Sequence, residues 1–303
     1  MIQDLKVLDF HAHFPVKGDW FPDYPKREKI DFDESTSRKY GEVWRKAFNF
    51  EVPEAPLDDD EMVKKWVADL DEKNIEKIVW VSGGGNQRLA NIVAQAPNRF
   101  IGFAHHHPDI EHSADVLEIA LRDQGLKGYK LLAPDIDTPL DDPKYYPIWE
   151  VCQAYDAPVL PHFGLLGAAG GTPWATNISP FRIADISLKF PKVNFVIPHF
   201  GCTHFADLLQ LAWTRPNVYI DTSGSNQWIR WMPYPLTLED VIRKFLETVG
   251  PSRIIFATDS STMPRGFAYH YLEEQHKIFR FMNVSDHDLE AIFYTNGANL
   301  LHL

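Results

Sequence analysis

A chain of 303 residues with 45% hydrophobic and 24% charged side chains can bury an ample core, as one large domain or two small ones. Its formal net charge of −12 excludes nucleic acid and anionic membranes as natural partners, because both need a basic face. Two cysteines, Cys152 and Cys202, are too few for a disulfide framework or a zinc ribbon, and no stretch reaches the roughly 20 apolar residues of a membrane span.

The opening, MIQDLKVLDF, has neither the basic start nor the long apolar run of a signal peptide, so a cytoplasmic protein is expected. Strands are expected near residues 5–13, 76–82, 99–105, 127–132, 157–162, 194–199, 217–222 and 253–259. Runs such as KIVWVS, NFVIPHF and RIIFAT are continuously apolar, the mark of strands buried on both faces. Between them lie helical patterns. Residues 60–74 place Met62, Val63, Trp66, Val67 and Leu70 on one stripe, and ADLLQLAW and LEDVIRKFLETVG behave alike. Pro97, Pro191 and Gly250-Pro251 punctuate the ends of helical runs.

Strand–helix alternation predicts a parallel sheet, and eight repeats predict a closed (β/α)8 TIM barrel spanning residues 1–303 as a single domain. No GxGxxG follows the first strand, which weakens a dinucleotide-binding alternative. Gly83-Gly84-Gly85 lacks a following GK[ST] and reads as a turn. The length left over falls in residues 15–58, an aromatic and charged insertion after the first strand, expected as a lid or substrate wall.

His11 and His13, in VLDFHAHF, stand at i and i+2 of a strand and can chelate one metal from one face. His162 ends the fifth strand in VLPHFG and His199 the sixth in VIPHFG, while Asp259 ends the eighth. Five metal-competent side chains at the C-terminal end of a barrel mark an active site, since barrel enzymes draw catalytic groups from several strand ends. Unpaired buried histidine and aspartate would be costly without a ligand.

HxH on the first strand, histidines on the fifth and sixth, and aspartate on the eighth resemble the amidohydrolase superfamily. The HFG and ATDS contexts and the large first insertion are most similar to its amidohydrolase-related branch, which includes hydrolases, lactonases and metal-dependent decarboxylases. The resemblance runs from Asp9 to Asp259 and implies that His11, His13, His162 and Asp259 bind metal. It gives His199 a water-orienting, charge-stabilising or second-metal role. Three imidazoles and a carboxylate suit zinc best, with manganese, iron or nickel as alternatives and one ion per chain expected. Lys130, in GLKGYKLLAP, must aim its amine at the mouth. The superfamily often carboxylates a lysine there to bridge two metals; here an unmodified amine, paired with an acid or a substrate anion, is expected.

Further candidates are weaker. His105, His106 and His107 end the third strand, and His107 is taken as a substrate donor. Asp221, Thr222 and Ser223 end the seventh strand and could orient the sixth-strand histidine. Arg230, in the Trp228–Trp231 loop, and Arg265 could each hold a substrate carboxylate bidentately. His204 reads as a helix-cap neighbour, and His270 and His276 as helix residues without chemistry. The leading expectation is a hydrolase of an ester, lactone or amide, with Asp259 shuttling the proton and His199 stabilising developing charge. The alternative is a nonoxidative decarboxylase of an aromatic or unsaturated acid, and a third reading is a non-catalytic metal-containing binding protein. The partner is a small molecule, with a homo-oligomer possible.

Overall fold

In the computed structural model, which describes residues 4–26, 42–43, 45–47, 50–165 and 176–303, strands and helices alternate along the chain. Among these residues β1 (Leu8–His13) is followed by α1 (Asp59–Glu72), β2 (Lys77–Ser82) by α2 (Asn86–Val93), and β3 (Phe100–Gly102) by α3 (Ser113–Arg122). Then come β4 (Tyr129–Leu132) and α4 (Tyr146–Ala154), β5 (Val159–His162) and α5 (Ala184–Lys189), and β6 (Phe195–Ile197) and α6 (Phe205–Thr214). The round ends with β7 (Val218–Asp221) and α7 (Leu238–Val249), then β8 (Ile254–Ile255) and α8 (Tyr269–Phe281). Two short helices, α9 (Asp286–Glu290) and α10 (Asn296–Leu300), complete the chain.

All ladders are parallel, in the orders β1-β2-β3 and β4-β5-β6-β7-β8. Both seams between the two sets are stitched. Lys130 N–H donates to the Ala104 carbonyl at 2.7 Å, while His13 N–H donates to Ser260 and Asp259 N–H to His11, each at 2.8 Å. The sheet therefore closes into the expected (β/α)8 barrel.

Periodicity explains the outer layer. Helix α1 buries Met62, Val63, Trp66 and Leu70, and Trp66 meets Trp80 of β2 with ring centroids 4.8 Å apart. Burial of each such side chain contributes about 1.5–3 kcal/mol. Helix α7 starts at a capping box between Thr237 and Asp240. Inside the barrel, Phe10 of β1 touches Phe103, just beyond β3, edge-on at 5.7 Å across the interior. Leu300 and Leu301 join that inner cluster from the C-terminus.

The ladders end earlier than apolar content alone predicts, because side chains take over the pairing. Past β3, His105 N–H donates to Asn86 Oδ1 at 2.9 Å. Past β8, Thr258 N–H donates to Asp9 Oδ1 at 2.9 Å. Strand β6 stops at Ile197, before Pro198, which has no N–H to give. Residues 199–204, expected in part as strand, form a bend with left-handed His199 and Phe200. Among the described residues no helix is long and apolar enough to cross a membrane.

Candidate metal centre

Strand β1 supplies the first two imidazoles through an irregular register. Its pairing with β2 shifts between Asp9 and Ala12 and again before His13. Such irregularities re-aim side chains, and both Phe10 and His11 face inward here. His11 is fully buried, its Nδ1 2.8 Å from Asp221 Oδ2 on β7. With Nδ1 donating to that carboxylate, Nε2 keeps its lone pair for a metal. His13 Nδ1 lies 2.6 Å from Ser82 Oγ at the end of β2, the residue it faces in the ladder.

The remaining nitrogens converge on Asp259. Asp259 Oδ1 is 3.2 Å from His13 Nε2 and 3.8 Å from His11 Nε2, and ligand atoms of these three residues lie within 4.8 Å of one another. Asp259 sits four residues past β8 with φ of 59°. That left-handed backbone is tolerated by aspartate and is typical of functional sites. Its carboxyl is 36% exposed while His11 is 0%, so the cluster opens to solvent on the Asp259 side. Burial disfavours the ionised carboxylate, but the His13 hydrogen bond and the electrostatic pull of the surrounding imidazoles outweigh it and hold the carboxyl well below its ordinary range.

His162 ends β5, its ring 4.9 Å from that of His199, which in turn is 5.2 Å from the His11 ring. His162 Nε2 is buried and has no hydrogen-bond partner among the described residues. An orphaned imidazole nitrogen beside two histidines and a carboxylate fits a cation-binding role, because without one its desolvation goes uncompensated. Burial, first of all, and the neighbouring positive groups keep His11 and His162 neutral, as ligands must be. The donor set thus fits one divalent cation held by His11, His13, His162 and Asp259.

His199 is fixed from one side: Ser223 Oγ is 2.9 Å from its Nδ1 and the Ser223 carbonyl 3.2 Å. The seventh-strand polar group thus orients two histidines, Asp221 holding His11 and Ser223 holding His199. Lys130 Nζ is buried, 3.4 Å from His11 Nε2, and forms no ion pair within 4 Å among the described residues. Burial pushes its amine down to about 8, against the pull of Asp259 and Asp221.

From the insertion, Trp20 lies nearly parallel to the His13 ring at 5.9 Å, and Phe21 meets His13 and His105 edge-on. Of the insertion, Trp20 and Phe21 thus stand against His13, while 27–41, 44 and 48–49 lie outside the described residues. Trp228, expected in the wall, is instead a core residue against Phe205.

Several weaker candidates fall elsewhere. The nitrogens of His107 are used by the Asp135 carbonyl (3.3 Å) and Asp109 N–H (3.1 Å), which makes its ring a satisfied part of the wall rather than a donor awaiting substrate. His105 and His106 are likewise bonded to backbone and Asn86. Arg230 lines an open groove of about 700 Å³ with Asn226, Tyr234 and Glu274, and Arg265 lines separate pockets with Phe50. His204 pairs with Asp207 at 3.0 Å beside the start of α6, and His270 and His276 ride on α8.

Sequence reasoning missed Ser82, Asp9, Thr258 and Ser260. Asp9 accepts from the backbone N–H groups of His11 and Thr258 and from the Thr258 hydroxyl, which is 2.5 Å from Ser260 Oγ. A buried acid two residues before the HxH, inside an apolar strand, was the available signal.

A family model described as amidohydrolase matches residues 8–303. The chain belongs to the amidohydrolase family. Along the sequence it is 26% identical over 262 residues to a gamma-resorcylate decarboxylase of Polaromonas sp., covering 72% of this chain and 75% of that protein. Two solved structures share the fold. One is 5-carboxyvanillate decarboxylase from Novosphingobium aromaticivorans, complexed with manganese and 4-hydroxy-3-methoxy-5-nitrobenzoic acid, at TM-score 0.63 and 17% identity over 99% of this chain and 97% of that one. The other is a probable 2-pyrone-4,6-dicarboxylic acid hydrolase from Acinetobacter baumannii with citric acid bound, at TM-score 0.62 and 18% identity over 99% and 100%. As an amidohydrolase, the chain carries its histidines and aspartate at the barrel's C-terminal mouth, where family chemistry is expected.

Proposed function

We propose that the protein is a metal-dependent, nonoxidative decarboxylase of a hydroxylated aromatic carboxylate. Metal dependence rests on the convergence of His11, His13 and Asp259 beside the orphaned His162 Nε2. The choice of reaction rests on the similarity to the gamma-resorcylate decarboxylase, which favours the alternative expectation over hydrolysis. The aromatic faces of Trp20 and Phe21 beside His13 suit a flat substrate.

One divalent cation held by His11, His13, His162 and Asp259 would supply Lewis-acid anchoring for substrate oxygens. The imidazole-rich donors suit zinc, and manganese is the ion of the 5-carboxyvanillate decarboxylase. The chain's own groups carry the proton. Asp259 is held ionised, so it accepts a proton from a substrate hydroxyl before donating it to the ring carbon that bears the carboxylate. The carbon–carboxylate bond then breaks, its electron pair restores aromaticity, and carbon dioxide leaves. The resulting phenolate takes a proton from solvent. Lys130 and His199 stand beside His11, placed to hold anionic substrate oxygens.

One observation favours the hydrolase reading: an ionised Asp259 on the open side of the cluster is also what a general base for water needs. The two separate cleanly. Metal-loaded protein is incubated with 2,6-dihydroxybenzoate and, separately, with a lactone such as 2-pyrone-4,6-dicarboxylate. Decarboxylation predicts equimolar carbon dioxide and resorcinol from the first. Ring opening of the second without carbon dioxide from the first would transfer the assignment to hydrolysis.

A further inference from the structure

Outside the metal centre, the chain just after Asp259 builds a second charged site. Acidic side chains outnumber basic ones 42 to 30, so most arginines here should find a carboxylate. Arg88, Arg99, Arg122, Arg243 and Arg280 do. Among the described residues Arg182, Arg215 and Arg253 bond backbone carbonyls instead, whereas Arg45 and Arg265 form no ion pair, and both line one cavity of about 160 Å³ together with Ser261 and Thr262. Arg265 lays its guanidinium over the Phe50 ring, 4.6 Å from the centroid. Its Nε is buried without an acceptor among the described residues, and its Nη2 makes a long hydrogen bond to Ser261 Oγ at 3.4 Å. Glu51 also lines the cavity, but it is solvent-exposed and pairs with neither arginine. The uncompensated charge reaches α8: after burial, the Arg265 guanidinium is the largest influence holding the His270 imidazole down.

A guanidinium stacked on an aromatic ring is fixed in plane, and its Nε–Nη edge matches two oxygens of one anion. A second arginine and two hydroxyls around the same small cavity supply the remaining donors. We propose that Arg45, Arg265, Ser261 and Thr262 form a binding site for a small oxyanion, distinct from the metal centre. The shared chemistry is that of a compact anion with two or more acceptor oxygens, such as inorganic phosphate or bicarbonate. The site begins two residues after Asp259, so its occupancy also braces the loop that carries that ligand. The inference does not depend on which reaction the metal centre catalyses.

The test is a thermal-melting titration of the metal-loaded protein with phosphate and, separately, bicarbonate, against chloride at matched ionic strength. Wild type, Arg265→Gln and Arg45→Gln are compared, with metal content measured in each. Anion binding to the native state raises Tm with concentration. The expected result is a rise in wild type that needs about tenfold more anion in either variant, as loss of a charge-assisted contact implies, with metal content unchanged. The anion acting at the lower concentration identifies the natural class. Arg45 lies on the protein's outer insertion, so its variant keeps the test open if Arg265→Gln fails to fold. No rise above chloride, or identical titrations in wild type and Arg45→Gln, would overturn the proposal.

Discussion

Asp259 is held where it is by fully buried neighbours. Its backbone is left-handed, and the residues on either side are clamped: Thr258 to Asp9, Ser260 through its hydroxyl to Thr258 and to the backbone N–H of Ala268. Burial pushes the Asp9 carboxyl up to about 8 despite the hydrogen bonds it receives from Thr258 and the His11 backbone. Asp9 is a positioning residue. Asp9→Ala removes the acceptor for the Thr258 N–H and hydroxyl and loosens both the HxH strand and the Asp259 loop at once. Metal affinity should fall about 10- to 100-fold, the usual cost of losing a ligand's hydrogen-bonded support. Asp9→Asn, which keeps one acceptor, should recover part of it. Metal dissociation constants from chelator competition read this directly; equal affinity in wild type and Asp9→Ala would mean that the clamp is decorative.

At the scale of elements, the strands were legible to within a few residues because a parallel barrel buries both faces and leaves continuous apolar runs. Their ends were less so. Asn86 and Asp9 replace ladder bonds with side-chain bonds, and Pro198 withholds a donor, none of which hydropathy records. The histidine positions were readable from motif spacing, but the contacts that orient them were not, since Asp221–His11 and Ser82–His13 join residues 210 and 69 apart in sequence. Trp228 looked like a wall residue because aromatic density in a loop cannot distinguish a cover from a core anchor. The loop after β7 offers a test of its own. Gly224 has φ of +84°, and a Cβ added there would stand 3.0 Å from His199 Nδ1. Gly224→Ala therefore carries a backbone cost of about 1–2 kcal/mol and displaces His199 from Ser223. Turnover should fall at least tenfold with bound metal retained. Unchanged kcat would remove His199 from the reaction.

For the molecule as a whole, burying neutral histidines ties stability to pH. His106 is held between Asn86 Nδ2 and the Ser113 carbonyl, and burial pushes its imidazole from the ordinary 6.5 down to about 4. Above pH 6.5 both folded and unfolded chains leave it neutral and nothing is lost. As pH falls from 6.5 toward 4 the unfolded chain takes up a proton that the folded chain refuses, so stability declines by about 1.4 kcal/mol per pH unit at most. His106→Gln should lose roughly 2 kcal/mol less than wild type between pH 6.5 and 5 in urea unfolding, because groups such as Asp9 titrate alike in both proteins and cancel. Parallel pH profiles would show that His106 is protonated in the folded state.

The central claim is that residues from β1, β5 and the segment after β8 hold one divalent cation, and His162 is the residue on which it turns. Among the described residues its Nε2 has no hydrogen-bond partner, so a structural role gives it nothing there to bond. Elemental analysis of purified wild type and His162→Ala, after identical dialysis, measures this directly. The account predicts close to one divalent ion per wild-type chain and a large loss in His162→Ala while the fold, by circular dichroism, is kept. Wild type without bound metal, or a variant that retains a full equivalent, would contradict it.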